Sequence, residues 1–129
     1  MVQITSVSPV LLVADVFETA EYYRDVLGFS FDQIYGEPPS FVILQRDGAR
    51  VMFRQPREGA PPPYNASVTP NFPFDVSFSV DDVEALAQEL RGKQAEILNG
   101  PTYRPIWNGK ELEVRDCNGR VLVFGQAMG

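Results

Sequence analysis

Apolar residues along this chain follow two periods, and the pair of periods occurs twice. Val10 to Ala14 is a continuous apolar run rich in β-branched residues, which predicts a buried strand. Asp15 follows it, and with Glu18 it fits a capping box, the Asp oxygen accepting a backbone N–H of the first helical turn. Val16, Ala20, Tyr23 and Leu27 then recur in steps of four, three and four, the stripe of a helix that buries one face. Gly28 is placed to end that helix, because glycine tolerates the left-handed conformation of a helix stop. Three shorter strands are predicted at Phe29–Tyr35, Phe41–Gln45 and Arg50–Arg54. Gly36-Glu37-Pro38-Pro39 separates the first two, and Asp47-Gly48 is a hairpin pair between the last two. The first half, residues 1–54, therefore reads β-α-β-β-β.

Residues 55–71 hold Pro56, Pro61, Pro62, Pro63 and Pro70 and read as a linker. The pattern restarts in 72–129. Phe74 to Val80 alternates apolar and polar, as a strand with unlike faces does. Asp81 with Glu84 fits a second capping box, Val83, Leu86, Ala87 and Leu90 form a second helical stripe, and Gly92 is the expected stop. Strands are predicted at Ala95–Leu98, Lys110–Arg115 and Arg120–Phe124, with turns at Asn99-Gly100-Pro101 and Asn118-Gly119. An offset of 67 places Leu11 on Phe78, Val13 on Val80, Val16 on Val83 and Tyr23 on Leu90. The capping boxes alone prefer 66, but a cap slides by a residue more easily than a buried stripe does. An internal duplication of one βαβββ module follows.

Composition narrows the possible chemistry. The 129 residues include no histidine, one cysteine (Cys117) and one tryptophan (Trp107), with a net charge of −6. The acidic balance argues against nucleic acid, which needs clustered Lys and Arg. A lone cysteine forms no internal disulfide and fits a reducing cytoplasm. The N-terminal stretch lacks the basic start and long apolar core of a signal peptide, and no apolar run approaches the roughly 20 residues of a membrane span. Without histidine, no nucleophile triad of the usual form and no site of two histidines and a carboxylate can be built.

Three stretches carry a family resemblance: PVLLVADVFETAEYYRDVLGF at 9–29, FSVDDVEALAQEL at 78–90 and ELEVRDCNGRVLVFG at 111–125. The Leu-Gly-Phe ending of the first helix and the Asp-x-x-Gly turn from Asp116 to Gly119 are its clearest marks. On these the chain resembles the vicinal-oxygen-chelate superfamily, which includes glyoxalase I, the bleomycin-resistance proteins and the extradiol dioxygenases. The resemblance implies an α+β fold of two βαβββ modules, whose open mixed sheets form a cup with the helices outside. It also implies a homodimer. In the metal enzymes of that superfamily, ligands come from the first, fourth, fifth and eighth strands. Carried over by spacing, those positions fall on Ser8, on Met52 or Phe53, on Asp75 and on Val123. Only Asp75 among them is a strong donor, and a catalytic zinc, nickel or iron site needs about three. Glu111 and Glu113 share one strand face with Arg115, which leaves open a carboxylate-only site for a hard cation or a solvated strand face.

The expectation is therefore a binding protein with no metal and no cofactor, similar to bleomycin-resistance proteins that sequester a drug. Ser8, Val10, Phe53, Arg54, Asp75, Ser77, Trp107 and Val123 are the candidate ligand-binding residues. Trp107 lies in the segment Tyr103 to Gly109 and offers a surface for a planar or cationic small molecule, though a core or interface tryptophan is the competing reading. Asp75 either pairs with Arg54 or meets a cation on the ligand. Two alternatives stand beside this expectation. One is a glyoxalase- or dioxygenase-type enzyme, a lyase or oxidoreductase, with an atypical metal site. The other is a scaffold domain that binds nothing in its cup.

Overall fold

The computed structural model describes residues 1–56, 64–68 and 74–129. The chain divides into two compact units, Met1–Pro62 and Pro63–Gly129. The first unit runs β1 (Val10–Leu12), α1 (Val16–Asp25), β2 (Ile34–Tyr35), β3 (Phe41–Arg46) and β4 (Ala49–Arg54). The second opens with one helical turn, α2 (Asn65–Val68). It continues through β5 (Val76–Ser79), α3 (Val83–Gly92), β6 (Glu96–Arg104), β7 (Gly109–Arg115) and β8 (Val121–Ala127). Each unit is a βαβββ module with a four-stranded mixed sheet, ordered β1-β4-β3-β2 in one and β5-β8-β7-β6 in the other. The parallel pair in each sheet is the first strand against the last, β1 with β4 and β5 with β8. The rest is antiparallel.

Both helical stripes are buried as their spacing predicts. Val16, Ala20, Tyr23 and Leu27 pack with Val42, Leu44, Val51 and Phe53 to form the core of the first unit. Tyr23 meets Phe53 edge-on at 4.9 Å between ring centroids. Val83, Leu86, Ala87 and Leu90 do the same in the second unit over Leu112, Val114, Leu122 and Phe124. Phe78 there stacks on Phe124 at 4.9 Å. In both units these apolar residues sit on the one sheet face that the helix covers.

The internal repeat extends to single hydrogen bonds. Asp15 caps α1 by accepting the Glu18 N–H at 3.0 Å, and Asp82 caps α3 by accepting the Ala85 N–H at 3.0 Å. A second acceptor comes from the far end of each module. The Gln55 amide oxygen takes the Val16 N–H at 2.9 Å, and the Gln126 amide oxygen takes the Val83 N–H at 2.8 Å. Each helix start is thus tied to a glutamine just after the last strand (Gln55) or near its end (Gln126), and two of its orphan donors are satisfied. From Val16 to Val83 is 67 positions and from Gln55 to Gln126 is 71, so the second module spends four more residues between helix start and last strand.

Several local expectations give way to packing. The N-cap of α3 is Asp82 rather than Asp81, which restores the offset of 67 shown by the buried stripe. Gly92 lies within α3. The left-handed residue after that helix is Gln94, at φ 62, where the first module uses Gly28 at φ 76. Phe29–Tyr35 reduces to the two residues of β2, with a single bridge from Ser30 to Gln45. Asn99-Gly100-Pro101 does not turn the chain. It is an irregularity inside β6, where the pairing slips between Asn99↔Glu113 and Thr102↔Glu111, and β6 runs on to Arg104. Within the stretch read as a linker, Asn65–Val68 form the turn α2, while 57–63 and 69–71 lie outside the described residues. Among the described residues no helix is long and apolar enough to cross a membrane.

Replacing either N-cap, Asp15→Ala or Asp82→Ala, is expected to cost about 0.5–2 kcal/mol in urea unfolding. Gln126→Ala should cost about 1 kcal/mol, because the Val83 N–H loses its acceptor.

Candidate functional site

A helix covers one face of each sheet, so function must be sought on the other. In the second unit, strand alternation places Ser77, Ser79, Glu111, Glu113, Val123 and Gly125 on that opposite face. The register is direct. Ser77 pairs with Val123, Glu113 with Val123, and Glu111 with Gly125. Arg104, at the end of β6, reaches across them. Its Nε donates to Glu111 Oε1 at 3.0 Å, and a terminal nitrogen lies 3.7 Å from Glu113 Oε1. One guanidinium thus serves two carboxylates whose side chains are only 16% and 17% exposed.

Trp107 completes this face. It sits in the four-residue hairpin between β6 and β7, and its indole folds back over the sheet. Gly109 and Gly125 lie beneath the ring. A Cβ on Gly109 would run into the six-membered ring, and one on Gly125 would come within 3.1 Å of it. These positions are glycine because of a close approach, not a turn. The indole N–H donates to Glu111 Oε2 at 3.1 Å, so one carboxylate holds both Trp107 and Arg104. The hairpin is braced as well. Asn108, left-handed at φ 53, accepts the Tyr103 hydroxyl on its side chain at 2.9 Å and the Met128 N–H on its carbonyl at 2.9 Å. Trp107 is nevertheless 40% exposed, which rules out a core position. An aromatic ring held from one side and open to solvent is what stacking requires.

The other predicted residues are distributed differently. Ser77 is exposed, while Val123 beside it is only 4% exposed. In the first unit, Val10 is 54% exposed on β1 and shares a face with Met52, its partner on β4. Ser8 lies just before β1, half-buried. Arg54 is exposed, with its guanidinium over the Phe41 ring at 5.9 Å. Phe53 is a correction. It is fully buried against Tyr23, on the helix-covered face, so the outward residue of the pair is Met52. Asp75 has a structural part as well. One oxygen takes the Asn65 N–H at 2.6 Å and the other takes the Val121 N–H at 2.9 Å, clamping α2 to the start of β8. Both of these partners lie within the second unit. Arg104 was missed as a site residue, and so were the two glycines. The i, i+2 spacing of Glu111 and Glu113 was the available sign, but their partner is Arg104 rather than Arg115, which pairs with Glu96 at 3.0 Å.

The sequence profile of the Glyoxalase/Bleomycin resistance protein/Dioxygenase superfamily matches residues 3–124. The chain belongs to that superfamily. Solved structures of the same fold include a glyoxylase/bleomycin resistance protein/dioxygenase domain from a Frankia species, 19% identical, with a TM-score of 0.74 over 99% of this chain and 94% of that one. TioX from a Micromonospora species is 20% identical, with a TM-score of 0.73 over 94% of this chain and 97% of that one. TnmS3, an antibiotic binding protein from a Streptomyces species, is 20% identical, with a TM-score of 0.72 over 99% of this chain and all of that one. No curated protein matches the chain.

The metal positions implied by this superfamily are not furnished with donors here. Ser8 offers a hydroxyl. Met52 offers a thioether and Val123 a hydrocarbon, while Asp75 has both oxygens on backbone N–H groups. Glu111 and Glu113 are engaged by Arg104. Among the described residues no three His, Cys, Asp or Glu side chains converge. The residues present do not fit the catalytic metal of the superfamily's enzymes. Cys117 lies in the Asp116–Gly119 turn, where the Asp116 side chain accepts the Asn118 and Arg120 N–H groups at 2.8 and 3.0 Å.

Asp75→Ala should destabilise the protein by about 1–3 kcal/mol in denaturant unfolding, since two backbone donors lose their acceptor. A carboxylate kept only for a ligand would leave unfolding unchanged. Gly125→Ala should lift the Trp107 ring off the sheet, seen as a red shift and easier iodide quenching of the single tryptophan's fluorescence.

Proposed function

We propose that this protein binds a flat small molecule and holds it without chemical turnover. The carrying observation is Trp107, braced against Gly109 and Gly125, tied to Glu111 and still 40% exposed. A stacking surface held in place costs a ligand little ordering when it binds. Ser77 and Ser79 on the same sheet face supply hydroxyls that orient a ligand, and the glutamates supply charge. Within the first unit by itself, Val10, Met52 and Arg54 share the sheet face away from its helix, with Ser8 just before β1, and are that unit's own candidate contacts. The committed state of Asp75 and the absence of donors at the other strand positions favour binding over metal chemistry. TnmS3, of the same fold, is described as an antibiotic binding protein, which supports sequestration of a drug-like compound as the role. The reading includes a cytoplasmic homodimer, with the exposed apolar Val2, Ile4 and Val7 available to a second copy.

The test is fluorescence titration of the lone tryptophan with a panel of fused-ring aromatic compounds and aromatic antibiotics. At least one should quench or shift the emission saturably and raise the melting temperature. Trp107→Ala should then weaken that compound by about 1–3 kcal/mol by calorimetry, with the fold unchanged by circular dichroism. Full affinity in the variant would move the site elsewhere.

A further inference from the structure

The indole of Trp107 is not an ordinary exposed ring. Its N–H donates to the carboxylate of Glu111 at 3.1 Å. A charged acceptor on the indole nitrogen pushes electron density into the ring and makes its face more attractive to positive charge. Among the described residues no cation lies over that face. The guanidinium groups that lie over rings are Arg24 on Phe31, Arg54 on Phe41 and Arg120 on Tyr64, and among the described residues none lies over Trp107. Arg104 is held by the carboxylates instead, bonded to Glu111 at 3.0 Å and shared with Glu113 at 3.7 Å. One positive charge therefore stands against two negative ones on a face that water reaches only in part, which leaves one charge unmatched beside an electron-rich ring. Arg115, the other arginine that strand parity puts on that sheet face among the described residues, is paired with Glu96.

We infer that the ligand class is a flat delocalised cation, such as an N-alkylated heteroaromatic ring or an aryl amidine, and that Glu111 sets the preference for charge by acting through Trp107. This rests on the proposed binding face and adds the chemistry of its ligand. Glu111 is then a positioning and polarising residue. Its removal costs the cation more than it costs a neutral ring of the same shape.

N-methylquinolinium and quinoline at pH 7.5 offer the same fused rings with and without a fixed charge. Calorimetric titration of the whole protein should show the cation binding at least about fivefold more tightly. In Glu111→Gln, which keeps a side chain able to accept the indole N–H, the ratio of the two affinities should fall to within about twofold. A salt titration of the unaltered protein gives the same answer without a variant. Affinity for the cation should drop as salt rises, and affinity for quinoline should not. Equal affinities, a salt-insensitive ratio, or a ratio untouched by Glu111→Gln would overturn the charge preference and leave planar binding standing. Failure of both compounds to bind at millimolar concentration would overturn the preference and the binding face together.

Discussion

Everything in this protein depends on a helix packing its apolar stripe onto one face of a four-stranded sheet. Val16, Ala20, Tyr23 and Leu27 do this in the first unit, and Val83, Leu86, Ala87 and Leu90 in the second. Burying a side chain of this kind is worth about 1.5–3 kcal/mol, so each stripe outweighs any single polar contact in its module. The packing decides which sheet face is core. It thereby leaves the opposite face free for polar and aromatic groups that a core would not tolerate. The tie from each helix start to Gln55 or Gln126 fixes the helix along the sheet, and the repeat keeps that tie in both modules.

On the free face of the second sheet, one side chain organises the rest. Glu111 accepts from Trp107 with one oxygen and from Arg104 with the other. The two glycines make the room the indole needs, because any larger residue would meet the ring. A partly buried ion pair contributes modestly to stability on its own. Its larger effect here is orientation, since it aims an aromatic surface outward while binding it from below and from its edge. Two of the strand positions that the family resemblance implies for metal ligands have other surroundings here. Asp75 clamps a helical turn and Val123 is a nearly buried hydrocarbon.

Periodicity made the fold readable because burial imposes it. The stripes at Val16–Leu27 and Val83–Leu90 lie where their spacing puts them, and the offset of 67 holds for the caps once Asp82 is recognised. Boundaries were less legible. Gln94 stops a helix where Gly92 was the obvious candidate, and Asn99-Gly100-Pro101 continues a strand where it resembled a turn. At Asn99-Gly100-Pro101 the cross-strand pairing with β7 outweighs the local turn preference. In the second unit Trp107, Ser77 and Val123 lie on one sheet face, as strand parity allows. In the first unit Phe53 lies on the helix-covered face, and parity does not say which face the helix will cover until the register with its neighbours is known.

By itself the sequence determined the fold class, the duplication, the helix faces and the shortage of histidine donors, since each is a property of spacing or composition along the chain. It could not determine which partners the polar side chains would take. Asp75 bonding to Asn65 and Val121, Arg104 bridging Glu111 and Glu113, and Trp107 resting on Gly125 all join residues far apart in sequence or on different strands. Such contacts depend on strand register and sheet order, and only the folded chain sets those.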